Sequence, residues 1–427
     1  MAQPEHSDSF FILPVSLLIL TVLVSVVSAS PVVDATGSPY TITLFIPASN
    51  SIPTTQIMDL INEFNASGNV LIATSRGLSL YDQDGEWSTR HMTYVNVSEG
   101  LLDDFITSIE YDGDGRLWIG YSEGIQIYNG NYYQTIRDQQ MLKSLRVNDI
   151  QRWNNEMWVA TGNAGLHRYR DGAWTWYQPF SDGGPGFYEV TGMVWDHGTN
   201  ATIIATEKEG IWIIRSQDDP ITFECIATKD SGYGLLDHLK RDFFGGVYFF
   251  NDSTVAHYSP DGGFSPVLTS RDLAITSPPI NDLTSGPDGK LYLATDNGIF
   301  IWENGGVYRN LDRFEGIGTS SIVHSINIDR QNRIWFSTPD NIGYYIDRSA
   351  SATPIEFQIE ITTRTVATAT TLTDTRNATS TRPVPTLREE AGEGSSSSAE
   401  GEGGTIIDTI IRSVRSFFVG IGLKPRF

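Results

Sequence analysis

Short apolar runs separated by turn residues recur along most of the chain. In residues 106–136, an apolar/polar alternation (ITSIEY) precedes a DGDG turn and a continuous apolar run (RLWIGY). A glycine turn, a second apolar stretch (IQIY), an Asn-Gly pair and a last stretch (NYYQTI) follow. Alternation predicts a half-buried strand, a continuous run predicts a strand covered on both faces, and Asn-Gly predicts a hairpin. The pattern therefore predicts a unit of four short antiparallel strands, named A to D below.

Related stretches occur seven times. They cover residues 68–81, 112–128, 155–169, 201–214, 245–258, 288–302 and 331–346. One glycine recurs in five of them at intervals of 47, 41, 45 and 88 residues: Gly77, Gly124, Gly165, Gly210 and Gly298. A period in the mid-forties with strand-like content predicts an all-β fold, a seven-bladed β-propeller of four-stranded blades, over residues 40–361.

The seventh unit lacks a clear fourth strand of its own. Residues 40–46 (YTITLFI) precede the first unit at the spacing of a D strand. Their pairing with the last blade would close the ring and remove both open sheet edges. Residues 355–361 (IEFQIEI) compete for that position, and we favour the N-terminal strand.

Two units, GRLWIGYSEGIQIY and EMWVATGNAGLHRY, resemble the two-component regulator propeller repeat, whose core reads roughly Gly-x-Leu-Trp-Ile-Gly-Thr-x-x-Gly-Leu-x-x-Tyr. Matching positions hold Trp118, Gly120, Gly124 and Tyr128, and Trp158, Thr161, Gly165 and Tyr169. The resemblance covers about residues 40–350. It implies a seven-bladed propeller, often a periplasmic or extracellular sensor module of a hybrid histidine kinase. The fifth unit departs most, with Tyr248 in place of the tryptophan, and no recognisable kinase, receiver or DNA-binding segment follows the repeats.

The segments that flank the repeats have a different composition. The uncharged apolar run from Phe10 to Ala29 predicts, for residues 1–29, a signal peptide cleaved after Ala29 or an N-terminal membrane anchor. Residues 362–404, rich in Thr and Ser and then in Glu, Gly and Ser, predict a disordered linker. Residues 405–423 predict a basic amphipathic helix that docks on a membrane or a partner, or packs on the propeller. We expect an exported protein, extracellular or at the cell surface, secreted or tethered, with membrane contact through residues 10–29 and 405–423.

The composition excludes some classes of function. A net charge of −22 leaves no basic surface for nucleic acid. The single cysteine, Cys225, excludes an intrachain disulfide and a cysteine-based zinc site, and we expect it to be a small buried side chain. The seven histidines show no metal-ligand spacing, and no motif for a catalytic nucleophile is present, so we expect no metal and no cofactor. Sequons make the following residues candidate glycosylation sites: Asn65, Asn96, Asn200, Asn251 and Asn377.

The DGDG stretch, Asp112 to Gly115, has the appearance of the start of a calcium loop. The same A–B junction holds NASGN, NNE, HGTN, GPDG and RQN in five other units. Turn-forming residues recur there, whereas the paired acids do not. A calcium loop also needs more oxygen ligands at fixed spacing. The sequence therefore predicts a β-turn.

Ligand-binding candidates come from two features. In a propeller, the B–C turns and the D–A connections gather on one face around the channel, and the B–C turns here carry a mixed, acid-leaning set: Arg76, Glu123, Asn163, Glu207, Asp252, Asp296 and Asp340. The stretch AWTWYQPFSDGGPGFYEV, residues 173–190, is rich in aromatic side chains: Trp174, Trp176, Tyr177, Phe180, Phe187 and Tyr188. Aromatic rings beside polar groups suit sugar stacking or a protein anchor, although they also suit packing between blades. The candidate ligand-binding set is Trp174, Trp176, Tyr177, Phe187, Tyr188, Arg76, Glu123, Asn163, Glu207 and Asp296.

The resemblance and these residues predict a non-catalytic, sensor-type module that binds an unknown ligand, such as a glycan, or an envelope protein. One alternative is a propeller lyase or hydrolase acting on a glycan or small molecule, with a histidine and carboxylates at the channel mouth. A further alternative is a structural adhesion or envelope-assembly protein.

Overall fold

The computed structural model describes residues 40–47, 52–64, 68–82, 84–92, 100–259 and 261–347. The predicted targeting segment (1–29), the linker (362–404), the C-terminal helix (405–423) and the competing strand (355–361) lie outside the described residues. Among the described residues, no helix is long and apolar enough to cross a membrane.

The described residues form seven antiparallel sheets of four strands each, the blades of a propeller. The strands are β1 (Tyr40–Phe45); in blade 1, β2 (Ile57–Asn62), β3 (Val70–Thr74), β4 (Gly77–Tyr81) and β5 (Trp87–Arg90); in blade 2, β6 (Ile106–Tyr111), β7 (Leu117–Tyr121), β8 (Gly124–Tyr128) and β9 (Tyr133–Ile136); in blade 3, β10 (Val147–Trp153), β11 (Glu156–Thr161), β12 (Leu166–Arg170) and β13 (Ala173–Tyr177); in blade 4, β14 (Val190–Asp196), β15 (Ala201–Thr206), β16 (Ile211–Ile214) and β17 (Glu224–Ala227); in blade 5, β18 (His238–Arg241), β19 (Val247–Phe250), β20 (Thr254–Ser259) and β21 (Gly263–Thr269); in blade 6, β22 (Ile280–Ser285), β23 (Leu291–Thr295), β24 (Gly298–Glu303) and β25 (Gly306–Leu311); and in blade 7, β26 (Ser325–Ile328), β27 (Ile334–Ser337) and β28 (Ile342–Asp347). Two 3₁₀ turns (Lys229–Ser231 and Tyr233–Leu235) and a one-turn α-helix (Ser270–Leu273) lie in the connections. The predicted seven-bladed propeller is confirmed.

The N-terminal strand closes the ring, as the sequence predicts. β1 pairs antiparallel with β28, from Tyr40 opposite Asp347 to Phe45 opposite Ile342. The Phe45 ring stacks on Trp335 of blade 7 at 6.1 Å and meets Tyr81 of blade 1 at 5.2 Å. The closing strand therefore buries aromatic surface on both sides of the junction between the last and the first blade.

The recurring glycine has a steric cause. Gly124 begins β8 with φ of +131°, and a Cβ atom there would lie 2.4 Å from the carbonyl oxygen of Ile136, at the end of β9. Gly77, Gly210 and Gly298 have the same relation to the D strands of their own blades. A side chain at this position would collide with backbone, which explains why the repeat keeps glycine there.

The DGDG stretch is a turn built around the Asp112 carboxylate, which confirms the predicted β-turn. Its Oδ1 accepts the backbone N–H groups of Asp114 and Arg116, and its Oδ2 accepts Nε–H of Arg116 (2.7 Å) and Nε1–H of Trp118 (2.9 Å). Blade 7 repeats this arrangement, with Asp329 as the acceptor for Arg333 and Trp335. Each carboxylate thus satisfies the indole N–H of a fully buried tryptophan in its B strand.

The prediction that Cys225 is buried was wrong. It lies on β17, the outermost strand of blade 4, and is exposed. The outer strand has no further strand to cover it, so an apolar residue type there remains open to solvent.

Candidate functional site

The A strands surround the central channel and are joined by side-chain hydrogen bonds to the next blade. The third residue of an A strand accepts a backbone N–H from the neighbouring A strand. The acceptor–donor pairs are Asp59 and Ile109 (2.8 Å), Ser108 and Ile150 (3.1 Å), Asp149 and Met193 (2.7 Å), and Asp282 and Ile326 (3.0 Å). These bonds place three carboxylates at one level of the channel.

The Ser108 hydroxyl lies between two of these carboxylates, 3.2 Å from Asp59 Oδ2 and 3.3 Å from Asp149 Oδ1. A hydroxyl has one hydrogen, so both contacts are hydrogen bonds only when one carboxyl carries a proton. Burial raises the pKa of Asp59, and burial together with the charge of Asp59 raises the pKa of Asp149 to about 6. The pair therefore holds a proton more tightly than exposed carboxyl groups do.

The third carboxylate has a cationic partner. Lys240 extends from β18 so that its Nζ lies 3.2 Å from Asp282 Oδ1 and 3.3 Å from Asn327 Oδ1. The charge of Lys240 also favours ionisation of Asp59. The middle of the channel is therefore a polar network.

The face formed by the D–A connections carries most of the exposed large apolar side chains of the described residues. They are Ile46, Met58, Phe105, Met141, Phe180, Tyr188, Leu235, Ile275, Phe314 and Ile322. Exposed apolar surface concentrated on one side of a soluble domain marks an interaction site more often than scattered apolar residues do.

Within this face, Phe180 and Tyr188 form an aromatic pair with ring centroids 4.8 Å apart, and they are 57% and 52% exposed. Phe180 has a φ of +53°, a left-handed conformation that is uncommon for a bulky residue. Its N–H donates to the carbonyl oxygen of Pro185 at 2.8 Å, and the carbonyl of Tyr188 accepts the N–H of Gly165 at 2.8 Å. The D–A loop is thus held in a strained form that presents both rings to solvent.

Charged side chains adjoin this aromatic pair between blades 3 and 4. Glu189 pairs with Arg146 at 3.3 Å, and Glu207 pairs with Lys208 at 3.3 Å. Partial burial and a hydrogen bond with Glu207 raise the pKa of Glu189, whereas that hydrogen bond lowers the pKa of Glu207. The two carboxyl groups can therefore share a proton beside the exposed rings.

The aromatic stretch of residues 173–190 is divided between two sides of blade 3. Trp174 packs on Trp118 of blade 2 (5.9 Å), and half-buried Trp176 donates its Nε1–H to the carbonyl of Ala164 (2.8 Å). Tyr177 stacks on Trp158 (5.5 Å). Residues alternate in direction along β13, so Trp174 and Trp176 share one side of the strand and Tyr177 lies on the other.

Phe187 is fully buried against Trp212 and Phe223 of blade 4. Packing between blades therefore accounts for Trp174, Tyr177 and Phe187, whereas Tyr188 is open to a ligand. The role of these residues in ligand binding stays a prediction.

The B–C turn residues are exposed on the predicted face: Arg76, Glu123, Asn163, Glu207, Asp252, Asp296 and Asp340. Several have local partners, since Glu123 pairs with Arg137, and Asp296 Oδ1 accepts Nδ2–H of Asn281 at 2.9 Å. Their role in ligand binding also stays a prediction.

Two candidate glycosylation sites fall in the described residues. Asn200 Oδ1 accepts Nε1–H of Trp153 (3.0 Å) in an A–B turn, and Asn251 Oδ1 accepts the N–H of Thr254 (2.9 Å) in a B–C turn. Asn65, Asn96 and Asn377 lie outside the described residues.

Three histidines of the described residues each lie near one carboxylate. The pairs are His91 and Asp104 (3.6 Å), His238 and Asp237 (3.9 Å), and His257 and Asp242 (3.2 Å). Within the same residues, no group of three or more His, Cys, Asp or Glu side chains is placed to hold a metal ion.

Sequence reasoning missed the channel residues. Glu110 and Arg152 lie on A strands, Arg241 ends another, and Arg330 lies in the A–B turn of blade 7. The available signal was that charged residues occupy one of the last two positions of three A strands, at Glu110, Arg152 and Arg241.

Residues 100–123 match the family model described as "Two component regulator propeller". No curated protein matches the chain. The extracellular domain of the putative hybrid two component system BT4673 from B. thetaiotaomicron has a similar structure, with 19% identity and a TM-score of 0.53; the similarity covers 68% of this chain and 38% of that chain. Streptogramin B lyase is 14% identical with a TM-score of 0.54, over 72% of this chain and 97% of that one.

PorZ, a bacterial surface component of the type-IX secretion system of Porphyromonas gingivalis, is 12% identical with a TM-score of 0.54, over 70% of this chain and 48% of that one. At these identities the likenesses show the fold alone. The repeat match and the seven four-stranded blades together show that this chain carries the two component regulator propeller repeat in a seven-bladed β-propeller.

Proposed function

We propose that this protein is a non-catalytic, sensor-type binding module that is exported to the cell surface and takes its ligand or partner on the face of the D–A connections. The observation that carries the proposal is the concentration of exposed apolar side chains on that face. Removing such surface from water favours association, and the largest apolar patches on soluble proteins are often functional.

The aromatic pair of Phe180 and Tyr188 forms the centre of the proposed binding surface. Two exposed rings held by a strained loop offer a stacking platform at little cost in conformational entropy. Glu189, Glu207 and Arg146 beside them supply hydrogen-bond partners of both charges. This combination suits a sugar ring, or an aromatic or basic segment of an envelope protein.

Export is supported by the uncharged apolar run from Phe10 to Ala29. The likeness in fold to an extracellular sensor domain agrees with it. Cell fractionation of the full chain tests this part, since recovery in the cytoplasmic fraction would contradict it.

The binding surface is tested with the full chain on a glycan array and a metabolite panel, using a Phe180→Ala/Tyr188→Ala variant. Loss of an aromatic anchor weakens binding by at least about ten-fold. The matched control is Phe243→Ala/Phe244→Ala, because those two rings form an aromatic pair in an A–B turn on the opposite face.

Equal loss of binding in both double variants would contradict the choice of face. A wild-type chain that binds none of the probes would contradict a glycan or metabolite ligand. Turnover of a probe would contradict the non-catalytic role.

A further inference from the structure

Three arginines and one carboxylate meet at the end of the channel where the A–B turns lie, opposite the aromatic face. Glu110 lies on β6, Arg152 on β10, Arg241 on β18 and Arg330 in the A–B turn of blade 7. All three arginines interact electrostatically with Glu110. Because the four residues come from four different blades, their charges act on one another across the channel.

Positive charge at this mouth is incompletely neutralised. Among the described residues, neither Arg152 nor Arg241 has a carboxylate oxygen within 4.0 Å, and the buried Nε of Arg241 has no hydrogen-bond acceptor. Nη1 of Arg152 donates to the carbonyl oxygen of Asp112 at 3.5 Å. Burial, with added repulsion from Arg152, lowers the pKa of both Arg241 and Arg330. A buried N–H group without an acceptor is a costly arrangement unless an anion supplies one.

The neighbouring carboxylate of Asp196 is already used by the A–B turns. Its oxygens accept the N–H groups of Gly198, Thr199 and Gly246 and the hydroxyl of Thr199. Glu110 is therefore the main counter-charge at this end of the channel, and its Oε1 accepts the N–H of Tyr111 at 2.8 Å.

We propose that the A–B mouth of the channel binds the oxyanion group of a small solute, a carboxylate or a sulfate, through Arg152, Arg241 and Arg330. Planar guanidinium groups match the geometry of such anions and bind them through two N–H groups at once. The enclosing protein screens these charges less than bulk water does, so they attract an anion despite the net charge of −22.

Glu110 makes this binding depend on pH. The groups that act on it are Asp59 of blade 1, Tyr111 of its own strand, and the three arginines. Burial raises the pKa of Glu110 to about 7. Protonation below that pH removes the internal negative charge, so anion binding strengthens as the pH falls from 8 to 6.

Isothermal titration of the full chain with sodium sulfate and with sodium glucuronate, at an ionic strength held constant with sodium chloride, tests the proposal and separates the two anions. Arg241→Gln weakens binding roughly ten- to hundred-fold, since a charge-assisted hydrogen bond is lost. Glu110→Gln strengthens binding at pH 8 and makes it less dependent on pH, because the Glu110 carboxyl no longer changes charge there. Arg215→Gln is the matched control and leaves binding unchanged, because Arg215 is an exposed partner of Glu224 in blade 4, remote from the channel cluster.

Equal binding by the wild type and Arg241→Gln overturns the proposal, as does weaker binding by Glu110→Gln. Should circular dichroism show that Arg241→Gln is unfolded, Arg152→Gln takes its place with the same expected loss. Equal binding of sulfate by every variant would be a general salt effect and would also overturn the proposal. None of these outcomes depends on the aromatic face, so failure here is distinct from failure of the proposed function.

Discussion

Blades 2 and 5 are both four-stranded antiparallel sheets, but different side chains hold their turns. In blade 2, the Asp112 carboxylate holds the indole of Trp118, and Gly124 begins the C strand. In blade 5, Tyr248 replaces the tryptophan, and Asp242 instead lies 3.2 Å from His257. The B–C turn of blade 5 is held by Asn251, whose Oδ1 accepts the N–H groups of Ser253 and Thr254.

The difference shows which parts of the repeat define the fold. The strand pattern is common to both blades, whereas the turn residues differ, and only blade 2 has a residue of positive φ in its B–C turn. The channel-facing residues differ in charge as well, because blade 2 contributes Glu110 where blade 5 contributes Lys240 and Arg241. Departures from the consensus thus leave the sheet intact and change the chemistry of the channel.

The largest expected effect is on the A–B turns. Asp112→Ala leaves the buried indole N–H of Trp118 and the Arg116 guanidinium without their acceptor, and we expect a loss of about 3 kcal/mol in the free energy of unfolding. Asp242→Ala costs about 1 kcal/mol, because no buried tryptophan depends on it. Denaturant titration measures both.

Asp114→Ala is the control in the same turn. Its carboxylate pairs with Arg116 at the surface, so the cost stays within about 0.5 kcal/mol. Equal losses for Asp112→Ala and Asp242→Ala would show that the two turns contribute alike and would remove the distinction between the blades.

The second effect concerns the B–C turns. Gly124→Ala forces a side chain against the carbonyl oxygen of Ile136 at a positive φ, and we expect a loss of about 2 kcal/mol. Ser253→Ala, in the corresponding turn of blade 5, costs no more than about 0.5 kcal/mol, because the Ser253 side chain is exposed and Thr254 keeps its bond to Asn251. Thermal unfolding of the two variants measures the contrast, and similar melting temperatures would count against the steric explanation.

The smallest effect is the pH dependence that the Glu110 carboxyl adds in blade 2. Burial raises its folded-state pKa to about 7 from 4.5, so the folded protein keeps a proton that the unfolded chain has lost. The stability that the Glu110 carboxyl contributes is fully present below its unfolded-state pKa of 4.5, and it is lost as the pH rises through 7. We expect the wild type to lose about 1–2 kcal/mol relative to Glu110→Gln between pH 5 and pH 8.

Unfolding titrations at four pH values across that range measure this difference. Glu123→Gln, an exposed change on the other face, should run parallel to the wild type. Parallel curves for Glu110→Gln would mean that its carboxyl titrates as it does in the unfolded chain.

Sequence patterning was sufficient for the blades because each is specified locally. The glycine at the start of a C strand and the acid of the A–B turn act on residues of the same blade, so Gly124 and Asp112 could be placed from spacing. Strand β1 was predictable because the seventh unit lacked a clear fourth strand and residues 40–46 belonged to no other unit. The apolar type of Cys225 gave no information on which strand would be outermost.

The site was less accessible to sequence reasoning. Arg152, Arg241 and Arg330 are about 90 residues apart along the chain and meet only because the ring closes. The sequence showed the aromatic stretch but not which side of blade 3 each ring covers. That depends on the placement of β13, which turns Trp174 towards blade 2 and Tyr177 towards blade 4. The exposed pair of Phe180 and Tyr188 depends on a loop conformation that no local pattern specifies.

The strand that closes the ring also determines how the propeller would respond to tension. Tyr40 and Asp347 are opposite each other at one end of the β1–β28 ladder, so the chain enters and leaves the propeller side by side. A force pulling these two points apart would unzip the ladder one residue pair at a time from that end. Shearing, in which all the bonds between two strands break together, would require a pull along the strand axis. The seam that completes the fold is therefore its weakest point under mechanical load applied through the flanking segments.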